Sequence, residues 1–427
     1  MSKKLLQKPR VTINNKVNYR RACLCDLQKL NGIFGMRTHD ILIIGGGCSG
    51  LALAYHLKKN NTDQKIIILE SRKEYTHDKT WCFWEKNENL WTSMATKHWS
   101  HWSFHTDSDH QTIKHESQIW KYYHLPAIKY YKHMTQTIRT SNNITLKMNT
   151  QVTKITKEKT SLLGPKGTTY QLQTNNDTYR ALHVIDTRPQ RSGESILFQS
   201  FYGFEIEIQA SQNDDCVALM HNMRTDDTSF RFNYILPLSK THMLFEHTRF
   251  ADSPISEEIM KKECSIEMKR LDIKHQKIIR TEYGLLPMGL KIKPSQFHTG
   301  GQRQGALRDA SGYAFLRIQR WADAFSKELI NQSDHKTKIP NKNRKDSQKT
   351  MDMFFLKTLR REHHDSSKIF MSLAKSAGAN LFSRFMSDQS SLMDKIRIII
   401  SMPPWPFIKT LFSNPSSQFT RSQKSYD

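Results

Sequence analysis

The stretch from Asp40 to Glu70 constrains this chain more than any other. Asp40-Ile41-Leu42-Ile43-Ile44 is a short, continuous apolar run of the kind used by a strand buried on both faces of a parallel sheet. It leads directly into Gly45-Gly46-Gly47-Cys48-Ser49-Gly50, with Gly45, Gly47 and Gly50 in G-x-G-x-x-G spacing. A helical pattern (Leu51 to Leu57) and a second apolar strand (Lys65 to Leu69) follow, and Glu70 stands 20 residues beyond the last glycine. Each part has a physical task. Gly45 permits the tight turn, Gly47 lets the backbone approach a pyrophosphate, and Gly50 lets the helix pack closely on the strand. The helix N-terminus offers free N–H groups to phosphates. Glu70 can accept from a ribose 2′-hydroxyl and would repel a 2′-phosphate. A glycine-rich turn that binds nothing would explain the glycines, but not the whole ordered series. An adenine dinucleotide is therefore expected here.

Further along, polar–apolar alternation from Ile144 to Thr174, with a turn at Gly164–Gly167, reads as antiparallel strands. Ala181 to Pro189 reads as a strand returning to the main sheet, with Asp186 and Arg188 at its C-terminal end, where open α/β sheets bind ligands. Residues 200–250 are strand-like again, and Glu246 falls within an otherwise apolar strand. A solvent-facing Glu explains that pattern. So does a buried carboxylic acid able to donate a proton near neutral pH. A second glycine-rich loop, Thr299 to Tyr313 with Gly300, Gly301 and Gly312, opens a helix from Ala314; an anion site and a plain loop both fit it. Five of the eight tryptophans fall between Trp81 and Trp102, which suits either a core cluster or an aromatic wall for a large apolar substrate.

Lys and Arg outnumber Asp and Glu by 65 to 40, a net charge of +25. Nucleic acid, an anionic membrane or acidic ligands would answer that excess, as would a merely soluble Lys-rich surface. No basic-aromatic RNA motif is present, so no nucleic-acid partner is expected. The six cysteines are scattered without metal-type pairs, which suits reduced thiols in a cytoplasm, and no metal is expected. No apolar run is long enough for a transmembrane helix. Residues 1–35 read as a disordered extension, or the true start is Met36; residues 331–350 read as a basic linker, 351–412 as C-terminal helices, and 413–427 as a disordered tail. Lys395–Phe412, basic, aromatic and broken by prolines, suits either a membrane interface or a helical cap on the core.

These residues together resemble the FAD-dependent lycopene cyclases, specifically the bacterial lycopene beta-cyclase family. The resemblance is carried by GGGCSG with Glu70, DKTWCFWE at Asp78–Glu85, VIDTRP at Val184–Pro189, FNYILPLS followed by LFEHT, YGLLPM at Tyr283–Met288, and Gly300–Gln319. It implies an α/β (α+β) fold: a Rossmann-like FAD-binding domain of the para-hydroxybenzoate-hydroxylase type, an antiparallel-sheet substrate domain and C-terminal helices. The FAD domain would span residues 36–330 discontinuously (about 36–75, 145–190 and 280–330), with the substrate domain inserted (about 76–144 and 191–279). The implied reaction cyclises the ψ-ends of lycopene to β-rings, giving γ- and then β-carotene. It begins with a proton, has no net redox change, and uses reduced FAD with NAD(P)H as reductant. Glu246 occupies the position of the family's essential glutamate. Gly45, Gly47, Gly50, Glu70, Asp186, Gly300, Gly301 and Gly312 would bind the cofactor. The implied enzyme is an isomerase acting on lycopene and other ψ-end carotenoids, in the cytoplasm and peripheral to the inner face of the cell membrane; a complex with other carotenoid enzymes is left open. The alternative of the same fold is a flavin monooxygenase or polyprenyl reductase.

Overall fold

The apolar run before the first glycines forms strand β1 (Thr38–Ile44), in which Ile41, Leu42 and Ile43 are fully buried. Each such side chain contributes about 1.5–3 kcal/mol on leaving water, which explains why a strand with so few polar groups is stable only inside a covered sheet. In this computed structural model, which describes residues 38–159, 168–190, 193–209, 215–331 and 346–412, β1 sits at the centre of the first layer.

The chain proceeds through α1 (Cys48–Lys59), β2 (Ile66–Leu69), β3 (Thr80–Glu85), α2 (Leu90–Met94), β4 (Lys97–Trp99), β5 (His101–Thr106), β6 (Thr112–Glu116) and β7 (Lys121–Pro126). Then come α3 (Ala127–Arg139), β8 (Ile144–Lys147), β9 (Val152–Lys159), β10 (Thr168–Thr174) and β11 (Thr178–Asp186). Four long strands follow: β12 (Leu197–Glu207), β13 (Cys216–Thr225), β14 (Ser229–Pro237) and β15 (His242–Ala251). After α4 (Glu257–Arg270), β16 (Lys277–Met288) and the short β17 (His298–Thr299), the rest is helical. It comprises α5 (Phe315–Asn331), α6 (Asp346–Arg361), α7 (Ser366–Met386), α8 (Leu392–Ser401) and α9 (Pro404–Leu411).

Two large sheets organise these elements. The first runs β8-β2-β1-β11-β10-β9, with β17 beside β11; β8, β2, β1, β11 and β17 are parallel, and β10 and β9 extend it antiparallel. Helix α1 packs between α3 and α5 to cover one face. The second runs β16-β12-β15-β14-β13-β5-β6 and is antiparallel except at β13–β5. One of its faces is closed by α4 through Phe245, Met260 and Cys264, the other by α7 through Phe104 and Phe382. A small sheet, β3-β7-β4, stands beside them.

The expected α/β architecture of a Rossmann-like layer, an antiparallel sheet and C-terminal helices is present. The chain divides between the layers differently from the expected spans, however. Helix α3 packs against the first layer, although 76–144 reads as part of the antiparallel domain. Residues 280–288 lie in the second sheet as part of β16. Helix α6 begins inside the segment expected to be a linker. The physical reason is shared: amphipathic elements join whichever layer their apolar face can cover, and composition does not reveal which. The Gly164–Gly167 turn, the N-terminal extension, the tail and most of the linker lie outside the described residues.

Candidate active site

At the C-terminal end of β1 the backbone turns at Gly45 with φ +95°, a conformation that disfavours any side chain. Thr187, just past β11, donates its hydroxyl to Ile44 O at 2.9 Å and Gly45 O at 3.0 Å, pinning the turn. A Cβ at Gly50 would lie 1.9 Å from Gly45 O, so only glycine lets α1 approach this closely. At Gly47 the same construction meets nothing within 4 Å. Helix α1 starts there with no side-chain cap and no acidic residue in its first turn. Open space in front of an uncapped helix N-terminus fits a phosphate.

Glu70 is buried beside this turn. One carboxylate oxygen accepts from Gly46 N–H at 2.7 Å and the other from Arg72 N–H at 2.8 Å, while the Arg72 guanidinium reaches both oxygens at 3.1 Å. Burial alone would raise its pKa, but the Arg72 bonds and then Gly46 prevail and hold it below the usual carboxylate range. It is an ionised acceptor. Asp186 lies across the turn, at the end of β11. Its two oxygens are taken up by Arg188 (2.9 Å to each) and Arg303 (2.8 Å). Its backbone carbonyl accepts from Gly300 N–H at 3.0 Å. Gly300 packs under Trp321, and a Cβ on Gly301 would sit 2.3 Å from Ser49 Oγ. Seven of the sequence-derived cofactor residues are thus gathered at one end of the parallel strands. Gly312 stands apart, with Leu286 and Gln199 around it, in the wall of a cavity.

That cavity, about 960 Å³, lies between the second sheet, the loop at 307–315 and the C-terminal helices. Trp81, Trp84, Phe232, Tyr234, Phe370 and Phe382 are among its lining residues. The tryptophan cluster therefore serves two ends: Trp81 and Trp84 line the cavity, while Trp84, Trp99 and Trp102 are core. Tyr122 places its hydroxyl 2.8 Å from those of both Tyr234 and Tyr313. Burial pushes all three phenols above their ordinary range, so this polar spot in the wall carries no charge.

Glu246 is in the same wall, 8% exposed. Strand alternation puts it with Leu244 toward the cavity and puts Phe245 and His247 under α4. His247 Nδ1 is 2.8 Å from Asn233 Oδ1, and its Nε2 is 3.6 Å from Glu263. Burial, and next the neighbouring Glu282, push the Glu246 carboxyl well above the usual range, in the direction that favours its protonated form. Glu282 went unassigned in the sequence. It faces Gly203 of β12 from one side as Glu246 does from the other. The available signal was Gly203 itself, since a lone glycine inside a strand marks a close approach.

A family model described as "Lycopene cyclase protein" matches residues 40–412. A lycopene beta-cyclase of Pantoea ananas is 21% identical over 397 residues, covering 88% of this chain and 98% of its own length. Among solved structures, a geranylgeranyl bacteriochlorophyll reductase-like protein from Thermoplasma acidophilum superposes with TM-score 0.56 at 13% identity, over 88% of this chain and 99% of that one. A flavoprotein/dehydrogenase from Cytophaga hutchinsonii gives TM-score 0.50 at 11% identity, over 86% and 99%. These structural likenesses concern the fold.

Proposed function

The chain belongs to the lycopene cyclase family, and from that premise we propose that it is a lycopene beta-cyclase, closing the ψ-ends of lycopene into β-rings by way of γ-carotene to β-carotene. The reading rests on one observation above all: a buried carboxyl, Glu246, whose protonated form burial favours, in the wall of a large and mainly apolar cavity. A polyene has no polar handle, so shape and aromatic contact must hold it, and the lining supplies both. Glu246 gives its proton to the terminal double bond. The cation that results needs shielding from water and a nearby source of negative charge; the indoles of Trp81 and Trp84 in the wall and the Glu246 carboxylate left behind supply these. Ring closure and loss of a neighbouring proton return the molecule to neutrality, making the enzyme an isomerase.

The cofactor assigned by this reading is FAD, reduced by NAD(P)H. The Gly45–Gly50 turn and the α1 N-terminus would hold its pyrophosphate, Glu70 its ribose, and Gly300 and Gly301 would let it lie close to the backbone; Asp186, committed to Arg188 and Arg303, would order these loops. When bound in reduced form, FAD supplies a fixed negative charge able to stabilise a cation in a dry site.

Among the described residues no helix is long and apolar enough to cross a membrane. Ile399, Ile400, Ile408 and Leu411 are largely exposed yet also line the cavity, which fits uptake of an apolar substrate from the inner face of the cell membrane by a cytoplasmic, peripherally bound protein. Glu246→Gln keeps shape and removes acidity. It should reduce cyclisation by ~10²–10⁴-fold while FAD stays bound, and His247→Ala should cost less. Near-normal β-carotene from Glu246→Gln, with His247→Ala inactive, would move the proton donor off Glu246.

A further inference from the structure

The cavity wall holds a second carboxyl, Glu282, close to Glu246. Glu246 on β15 and Glu282 on β16 lie on the strands either side of β12, and both pair in register with Gly203. A Cβ at Gly203 would stand 2.7 Å from Glu246 Cγ and 3.3 Å from Glu282 Cγ, so bare backbone there lets the two side chains lean toward each other over the middle strand. Both line the cavity and both are buried. Their partners differ. Arg280 donates to Glu282, and is itself fixed by Glu205 at 2.6 Å and Thr80 at 2.8 Å. Among the described residues no cation stands at ion-pair distance from Glu246. Two other carboxylates reach this wall, Asp78 and Asp352, and they are engaged by Arg72 with Lys79 and by Arg308.

We propose, on the reading of this site as a cyclase, that Glu282 is the base that ends the reaction, so that the adjacent pair delivers one proton and takes up another. The Glu246 O–H bond breaks as the π electrons of the terminal double bond form a new C–H bond. The π pair of a second double bond then forms the ring C–C bond and moves the cation along. The C–H pair beside that cation becomes the ring double bond as its proton passes to a Glu282 oxygen. Electrons are neither gained nor lost. Transfer of the proton from Glu282 to its neighbour Glu246 restores the starting state. The carbon that gains a proton and the carbon that loses one flank the same ring atom, so donor and acceptor must stand side by side, as these two do. Arg280, paired with Glu282, fixes that carboxyl beside Glu246 in the cavity wall.

The test uses the full chain, loaded with FAD, reduced, and given lycopene in phospholipid vesicles. If the unaltered protein leaves lycopene unchanged, the cyclase reading fails before any variant is compared. If it cyclises, Glu282→Gln should lower turnover ~10²–10⁴-fold with FAD content unchanged. Its residual product should include rings whose double bond lies outside the β position, because the cation must lose a proton elsewhere. Glu282→Asp should give β-rings at a reduced rate. Turnover within about threefold of the unaltered protein in Glu282→Gln would overturn the assignment, well short of what a general base contributes. So would a loss that Glu282→Asp shares in full while residual product stays purely β, since that marks a structural role. Should Glu282→Gln fail to bind FAD, Glu282→Asp decides: slowed β-ring formation supports the proposal, and an unchanged rate overturns it.

Discussion

Gly203 has no side chain to offer, yet its absence of one places both carboxyls. The middle strand of three must be bare where the outer two turn acids toward each other, because a methyl group would stand 2.7 Å from Glu246 Cγ. Overpacking of this kind typically costs about 1–3 kcal/mol, which a large domain can tolerate, but the displacement falls on Glu246, the proposed proton donor. Gly203→Ala should therefore remain folded and retain FAD while losing at least about tenfold in cyclisation, measured by flavin absorbance and pigment chromatography on the same preparation. Full activity would mean that the Glu246 position is not critical. Glu246 was visible in the sequence as an acid on an apolar strand, and His247 one residue on falls on the other face by alternation alone. Its partner Glu282 was not visible, because pairing residues 36 apart through a third strand requires the registers of β15, β12 and β16.

Elements differ in how openly they declare themselves. Strand β1, helix α1 and strand β2 are legible because one apolar run, one glycine turn and one helical period follow in a fixed order. Helix α3 is equally regular, but which sheet it covers depends on neighbours far along the chain. Helices α8 and α9 show a third case: the pattern is plain and its purpose is the question. Leu392, Met393, Ile396, Ile399 and Ile400 form an exposed apolar face on α8, continued by Trp405, Ile408 and Leu411 on α9. The opposite side caps the core through Ile398, with Met402 and Phe407 packed against it. With Arg397 and Lys409 close by and a chain of net charge +25, this face fits the proposed contact with an anionic bilayer. Binding to anionic liposomes should weaken as salt rises, each basic residue near the surface contributing about 1 kcal/mol. Ile400→Glu combined with Trp405→Glu should abolish it with FAD retained. Binding indifferent to both salt and these substitutions would place the contact elsewhere.

As a whole molecule, the protein joins a Rossmann-like layer to an apolar cavity through the segment from Thr299 to Phe315, which has Gly300 and Gly301 at one end and Gly312 and Tyr313 in the cavity wall. Three chemistries are compatible with that layout: proton-initiated cyclisation, saturation of a polyprenyl chain, and oxygen insertion. They leave different masses. Cyclisation adds nothing, reduction adds two hydrogens for each bond saturated, and monooxygenation adds an oxygen. A buried carboxyl facing the cavity, its protonated form favoured by burial, serves only the first directly. The decisive measurement is to express the chain in lycopene-accumulating cells and to separate and weigh the pigments. A product of unchanged mass carrying β-rings is the expected result. Recovery of lycopene alone from cells that contain the folded flavoprotein, or of a product heavier by hydrogen or oxygen, would contradict it.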